Sequence, residues 1–376
     1  MAFNIPTQHK ALIVESLEDP IVVKTLPTPQ PFHGSAVVKV LAADIISYHR
    51  EIYNGKRHYV FPMPLVPGSS CIGRIASVGP DATRLQPGQL VYVDCTTRSR
   101  DDSADLFLSA INDGLSEGSK KLMRDIWRDG AFAEYQRVPL ENCIPLDEDR
   151  LCTALGYTYA QLMYMSHMLV AYGGLRDIGL EPGQTVVICP ATGGFGGAGV
   201  HVAVAMGARV IAMGRNEVEL KRIKETIQTT MPANAGIETV KITGDEAADA
   251  TSLQQLGGSI DAILDLTPPE ASQSPHTKSA AIALKYAGRI SIMGLADAMS
   301  SPSIRWQIIG KDIMLKGKLM YSRDDMIQFV KMLERGLFPK GKALAAVKSF
   351  GLEDHKAALD EAAVWTGLGK AVVFEP

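Results

Sequence analysis

Residues 185–216, TVVICPATGGFGGAGVHVAVAMGARVIAMGRN, restrict the fold more than any other stretch of this chain. A β-branched run from Thr185 to Cys189 enters a glycine-rich turn, Ala191-Thr192-Gly193-Gly194-Phe195-Gly196. An apolar segment of helical character follows, and a second apolar run, Arg209 to Met213, closes on Gly214-Arg215-Asn216. The order strand, tight turn, helix, strand predicts a βαβ unit built to hold a dinucleotide. Without side chains at the turn, the backbone can approach a pyrophosphate. The N–H groups that open the helix then face the anion. A G-x-G-x-x-G pattern alone is weak; this A-x-G-x-x-G variant has its strand, helix and second strand in place. Thr192, Gly193, Gly194, Phe195 and Gly196 are the expected pyrophosphate contacts.

The adenosine half is read at the end of the second strand, where binders of NAD commonly place an acid that accepts from the ribose 2′-OH. Here the strand ends in Gly214, Arg215 and Asn216, and the nearest acid is Glu217. A carboxylate would repel a 2′-phosphate, whereas a guanidinium can bind one bidentately. The expected cofactor is NADPH.

At 376 residues the chain exceeds one ordinary domain, so two are expected. Its 46% hydrophobic and 21% charged residues describe a globular protein with a substantial core. A formal net charge of -3 gives no electrostatic case for nucleic acid or an anionic membrane. No apolar run reaches spanning length and no secretory leader is read, so the cytoplasm is the expected location. The five cysteines are scattered, with no C-x-x-C; buried thiols are expected in place of disulfides or a zinc ribbon.

Along the chain, residues 10–43, 71–79, 90–94 and 132–138 read as β structure separated by Pro- and Gly-containing turns. Residues 97–129 are polar and helix-tending, and read either as a lid or as a surface helical insertion. From about 155 strands alternate with helices, which predicts a parallel, doubly wound sheet. The tail returns to mixed helix and strand.

This arrangement resembles the medium-chain dehydrogenase/reductase superfamily. The resemblance rests on GSSCIGRIASVG with Gly68, Gly73 and Gly79, the Pro87-Gly88-Gln89 turn, GAFAEY at 130–135, EPGQTVVI at 181–188, PATGGFGGAG, GRISIMG and GKAVVF. It implies an α/β fold in which a Rossmann-type doubly wound parallel sheet is inserted into a β-rich, GroES-like catalytic domain. The expected boundaries are 1–155 and 323–376 for the catalytic domain and 156–322 for the dinucleotide domain. Topology and resemblance add Leu266, Thr267, Gly294 and Leu295 as expected cofactor contacts beyond the carboxyl ends of strands, and Lys370 near the cleft.

Zinc-dependent members carry a cysteine after the third strand, a Gly-His-Glu, and a second cysteine at the start of the nucleotide domain. Laid on that pattern, this chain has Ile46, Ser69 with Ser70, and Ser166 or its neighbour at those places. Isoleucine cannot ligate zinc and hydroxyls replace thiolate and imidazole poorly, so no metal is expected. The resemblance is therefore to the zinc-free branch, similar to quinone oxidoreductases and enoyl reductases. Tyr48 falls where the zinc enzymes keep a proton-relaying hydroxyl; with His49 it is the candidate catalytic donor, and the alternative is that both only pack. Three functions are read. The first is an NADPH-dependent, zinc-independent reductase of an activated C=C or a quinone on a small to medium apolar substrate. The second is a metal-free ketone reductase or alcohol dehydrogenase. The third is a non-catalytic scaffold that keeps the nucleotide fold. A small-molecule substrate is the expected partner. The apolar segments RISIMGL and IMLKGKLM read as a bare sheet edge, which predicts a homodimer; an edge covered by residues 296–310 would instead leave a monomer.

Overall fold

The computed structural model of the chain describes residues 5–232, 235–295 and 302–376. They form two compact units. One runs to Ser166 and takes in Lys340–Thr366 and Lys370–Pro376; the other is His167–Pro339 with Gly367–Gly369.

The first unit is β-rich. Its seven-stranded sheet runs in the order Ala346–Phe350, Lys370–Phe374, Ser35–Asp44, Cys71–Val78, Leu90–Val93 and Cys143–Pro145, with Tyr135–Pro139 also paired to Ser35–Asp44. Ser35–Asp44 is buried on nearly every residue, as a strand flanked on both edges and covered on both faces requires. Residues 97–129 form an insertion that carries a helix and also a strand pair. Thr96–Arg98 pairs antiparallel with Leu106–Leu108, and the helix Glu117–Asp125 follows, capped by Ser116, whose Oγ accepts from the Ser119 N–H at 3.0 Å. Phe107 and Met123 of this lobe are fully buried.

The second unit holds a six-stranded parallel sheet in the order Ile237–Lys241, Arg209–Gly214, Thr185–Cys189, Ile260–Asp265, Leu284–Ile292 and Met314–Gly317. That order, with a helix in most crossovers, is the doubly wound dinucleotide arrangement. Val187, Ile211, Ile263 and Ile290, one from each of four adjacent strands, make its buried core with Leu253 and Leu284. At the outer edge all four residues of Met314–Gly317 are exposed. Among the described residues no helix is long and apolar enough to cross a membrane.

The unit boundaries fall at 166/167 and 339/340, against 155/156 and 322/323 read from the sequence. Packing explains the difference. The helix Arg323–Glu334 sets Phe329 against Tyr172 at 5.5 Å between ring centroids, so it belongs with the parallel sheet despite its amphipathic pattern. Gly367–Gly369 also joins this unit: the Arg222 guanidinium donates to the Leu368 carbonyl at 2.7 Å.

Candidate functional site

In the parallel-sheet unit the glycine-rich turn leaves Thr185–Cys189 and opens the helix Gly194–Ala205 at Gly193. The Ala191 N–H donates to the Met213 carbonyl at 2.7 Å, which fixes the turn to the neighbouring strand. A Cβ on Gly193 would meet nothing within 4 Å, so this backbone faces open space, as a phosphate cradle needs. Gly196 serves packing instead: a Cβ there would collide with the Pro190 carbonyl. Phe195, half-buried, stacks on His167 at 4.8 Å.

Gly214 ends the second strand beneath Thr192, and Arg215 beyond it is exposed. Asn216 caps the next helix, Glu217–Thr230, its side-chain oxygen accepting from the Glu219 N–H at 3.1 Å. Leu266-Thr267 and Gly294-Leu295 lie together, the Leu295 N–H donating to the Thr267 carbonyl at 2.8 Å. The unit thus gathers Thr192–Gly196, Gly214–Asn216, Leu266, Thr267, Gly294 and Leu295 at the carboxyl ends of four adjacent strands. Lys370 lies in the other unit, its Nζ 4.9 Å from the Trp365 ring centre.

Sequence reasoning missed the carboxylate under this edge. Asp265, fully buried, accepts from the Thr267 N–H at 2.8 Å and the Thr277 hydroxyl at 2.6 Å. Thr267 Oγ1 also bonds His276 Nε2 at 2.8 Å, and burial lowers the pKa of that imidazole. This network holds the Leu266-Thr267 turn in place. The signal for Asp265 was an acid closing an apolar strand; nothing in the spacing pointed to His276.

In the β-rich unit, Tyr48 precedes the short helix His49–Tyr53. The Arg57 guanidinium lies over its ring at 4.3 Å and is held there by Glu51 at 3.0 Å. Burial raises the Tyr48 pKa, with Tyr59 adding to the shift and Arg57 opposing it. The phenol therefore keeps its proton near neutral pH and is a hydrogen-bond donor. His49 has a different place. It is fully buried, its Nδ1 accepts from the Ile46 N–H at 3.2 Å, and its ring packs on Tyr53 and Phe132. An imidazole with no exposed surface contributes to the packing of this unit. Tyr53 is likewise structural: its hydroxyl donates to the Ala110 carbonyl and accepts from the Gly68 N–H.

The positions aligned with zinc ligands are all buried, and the Ser70 and Ser166 hydroxyls are engaged. Ser166 donates to Asp44 at 2.7 Å, and Ser70 accepts from the Tyr92 hydroxyl at 3.2 Å. Burial, with Asp94 adding to it, pushes the nearby Cys95 thiol up to about 12, so it is no thiolate at neutral pH. Among the described residues no three His, Cys, Asp or Glu side chains make a metal cluster. Isoleucine and serine hydroxyls lack the thiolate and imidazole that zinc takes. Asp44, 1% exposed, is a further residue that sequence reasoning missed, because its strand reads as plain apolar β structure.

Residues 33–148 match the alcohol dehydrogenase GroES-like domain. The chain is 25% identical to alcohol dehydrogenase 1 of Emericella nidulans over 346 residues, 89% of this chain and 90% of that protein. Two solved structures share its fold. One is a short chain alcohol dehydrogenase from E. coli CFT073 complexed with NADH, at TM-score 0.76 and 20% identity over 99% of this chain and all of that one (100%). The other, a protein of Sinorhizobium meliloti 1021 bound to NADP, gives TM-score 0.75 and 19% identity over 99% of this chain and 100% of that one. The GroES-like match in the β-rich unit, the strand order of the parallel unit and the nearly full-length relatives make the chain an oxidoreductase similar to the alcohol dehydrogenases.

Proposed function

We propose that this oxidoreductase uses NADPH and no metal to reduce an activated C=C, as in an enone or enoyl thioester, or a quinone, on a small to medium apolar substrate. The observation that carries this reading is the donor set just described: Ile46, Ser69, Ser70 and Ser166 stand at the zinc-ligand positions, with Ser166 bonded to Asp44 at 2.7 Å. A simple carbonyl needs a Lewis acid or a strong donor to polarise it. A conjugated acceptor takes hydride at a carbon remote from its oxygen and asks only that the charge developing on that oxygen be stabilised. Bound NADPH supplies the hydride. Tyr48, protonated and braced by Arg57, donates to the oxygen; the second carbon then takes a proton, completing the single bond. Exposed Arg215 at the second strand's end supports a 2′-phosphate and hence NADP(H) over NAD(H).

Oxidation of NADPH with a panel of enones, quinones and ketones tests the proposal. Turnover of enones or quinones that survives chelator treatment, by protein free of stoichiometric zinc, is the expected result. Activity that vanishes with removal of bound zinc overturns it. Turnover of ketones alone selects the second reading, a metal-free ketone reductase or alcohol dehydrogenase, which the name of the E. nidulans relative favours. Cofactor binding with no turnover at all selects the scaffold.

A further inference from the structure

The lobe 97–129 ends in a segment that closes over a cavity of about 320 Å³ in the β-rich unit. His9, Trp127, Tyr135 and Arg137 line it, together with two arginine–aspartate pairs. Arg124 pairs with Asp125 at 2.8 Å and Arg128 with Asp129 at 3.2 Å. The Asp129 carboxylate also accepts from the Val66 N–H at 3.1 Å. Among the lining side chains three guanidinium groups stand against two carboxylates, Arg137 being the guanidinium outside the two ion pairs, and the Glu134 carboxylate acts on His9 and Tyr135 from outside the lining.

Arg137 is half-buried, and no carboxylate lies within ion-pair distance of it among the described residues. Its guanidinium instead lies over the Phe32 ring at 4.6 Å, and Phe32 stacks on Trp127 at 5.3 Å with 26° between planes. Burial lowers the Arg137 pKa, with Asp129 only partly opposing the shift, as expected of a desolvated cation lacking a full counter-charge. His9 is 5% exposed, and its Nδ1 is buried with no hydrogen-bond partner among the described residues. A concave site of this volume, with flat aromatic walls and one uncompensated planar cation, has the makings of a small-ligand pocket.

We infer that this cavity binds a small planar monocarboxylate, an aromatic acid in class, whose carboxylate pairs with Arg137 and whose ring lies against Trp127 and Tyr135. One excess charge suits a monoanion, and a guanidinium fork matches a carboxylate with two parallel hydrogen bonds. The inference draws on neither Tyr48 nor the dinucleotide unit.

Calorimetric titration of the whole protein with benzoate, its neutral isostere benzamide and inorganic phosphate tests the site. Benzoate is expected to bind once per chain, at least tenfold tighter than benzamide or phosphate, with the same Kd in NADPH-saturated protein. Arg137→Gln should erase the benzoate preference while the melting temperature holds. Trp127→Leu, which leaves every charge in place, should weaken benzoate at least fivefold and gives an independent reading if the Arg137 variant does not fold. Equal binding of benzoate and benzamide, phosphate matching benzoate, a preference that survives Arg137→Gln, or unchanged affinity in Trp127→Leu would each overturn the inference.

Discussion

A phenol that burial keeps protonated, with a guanidinium against its ring, is a donor before it is anything else. If Tyr48 stabilises the developing oxyanion, Tyr48→Phe lowers kcat by roughly a hundred- to a thousandfold, the effect of losing one such donor. NADPH affinity should stay unchanged; a change confined to KM would mark Tyr48 as a pocket wall. Arg215→Ala should cut the preference for NADPH over NADH roughly tenfold to a hundredfold, the worth of one charge-assisted pair, in paired titrations. His201 makes the acid limb of stability readable. It is fully buried, and burial with Arg222 pushes its pKa down to about 4 from 6.5. The unfolded chain therefore binds a proton between those values that the folded chain refuses. Stability is complete above pH 6.5 and falls as pH drops toward 4, by about 3 kcal/mol from this group. Denaturation midpoints of His201→Gln across that range should show a shallower slope than wild type; equal slopes would remove His201 as the cause. At this scale the sequence was legible only where residue type and backbone task coincide. Arg215 at a strand end was visible, while the packing of His49 on Tyr53 and Phe132 was not, because those residues lie apart from it in the pattern or in the chain.

The glycine-rich turn shows how one motif divides its labour. Gly196 touches the Pro190 carbonyl, so Gly196→Ala forces a backbone shift and should cost about 1–3 kcal/mol of stability together with cofactor affinity. Gly193 adopts φ -86°, open to any residue, and a Cβ there meets only solvent. Gly193→Ala should therefore leave the melting curve in place and weaken NADPH alone. Chemical denaturation and cofactor titration on both variants separate the two roles, and equal behaviour would show that the distinction is wrong. Elements of this kind were readable because strand, turn and helix state their periods locally. The lobe 97–129 was not: its apolar residues, Phe107 and Met123 among them, are too few and too irregularly spaced to show a period, and only tertiary packing gives them a core.

For the whole molecule, the parallel sheet ends in Met314–Gly317, an exposed edge strand with Met314, Leu315 and Leu319 uncovered. Of the loop 296–310 named as the alternative cover for this edge, 296–301 lie outside the described residues and the rest is helix, with Trp306 and Ile309 exposed. A second copy pairing along this edge would bury those side chains, and light scattering should return twice the 40.5 kDa chain mass. Leu315→Lys should shift that value toward one chain; a wild-type mass of 40.5 kDa at every concentration removes the dimer. Fold class could be anticipated from alternating patterns, but boundaries could not, because a helix such as Arg323–Glu334 carries the same amphipathic stripe whichever unit it covers. The β-rich unit has one more property, set by its chain path. Lys370–Phe374 lies between Ala346–Phe350 and Ser35–Asp44, with Val373 opposite Asp44. During synthesis the sheet that begins with Ser35–Asp44 must wait for the whole parallel unit to emerge before it can close. The inserted unit completes its own sheet first, and the half-made β-rich unit stays exposed for longest in the ribosome's path, so chaperone demand and aggregation risk concentrate on the segment translated earliest.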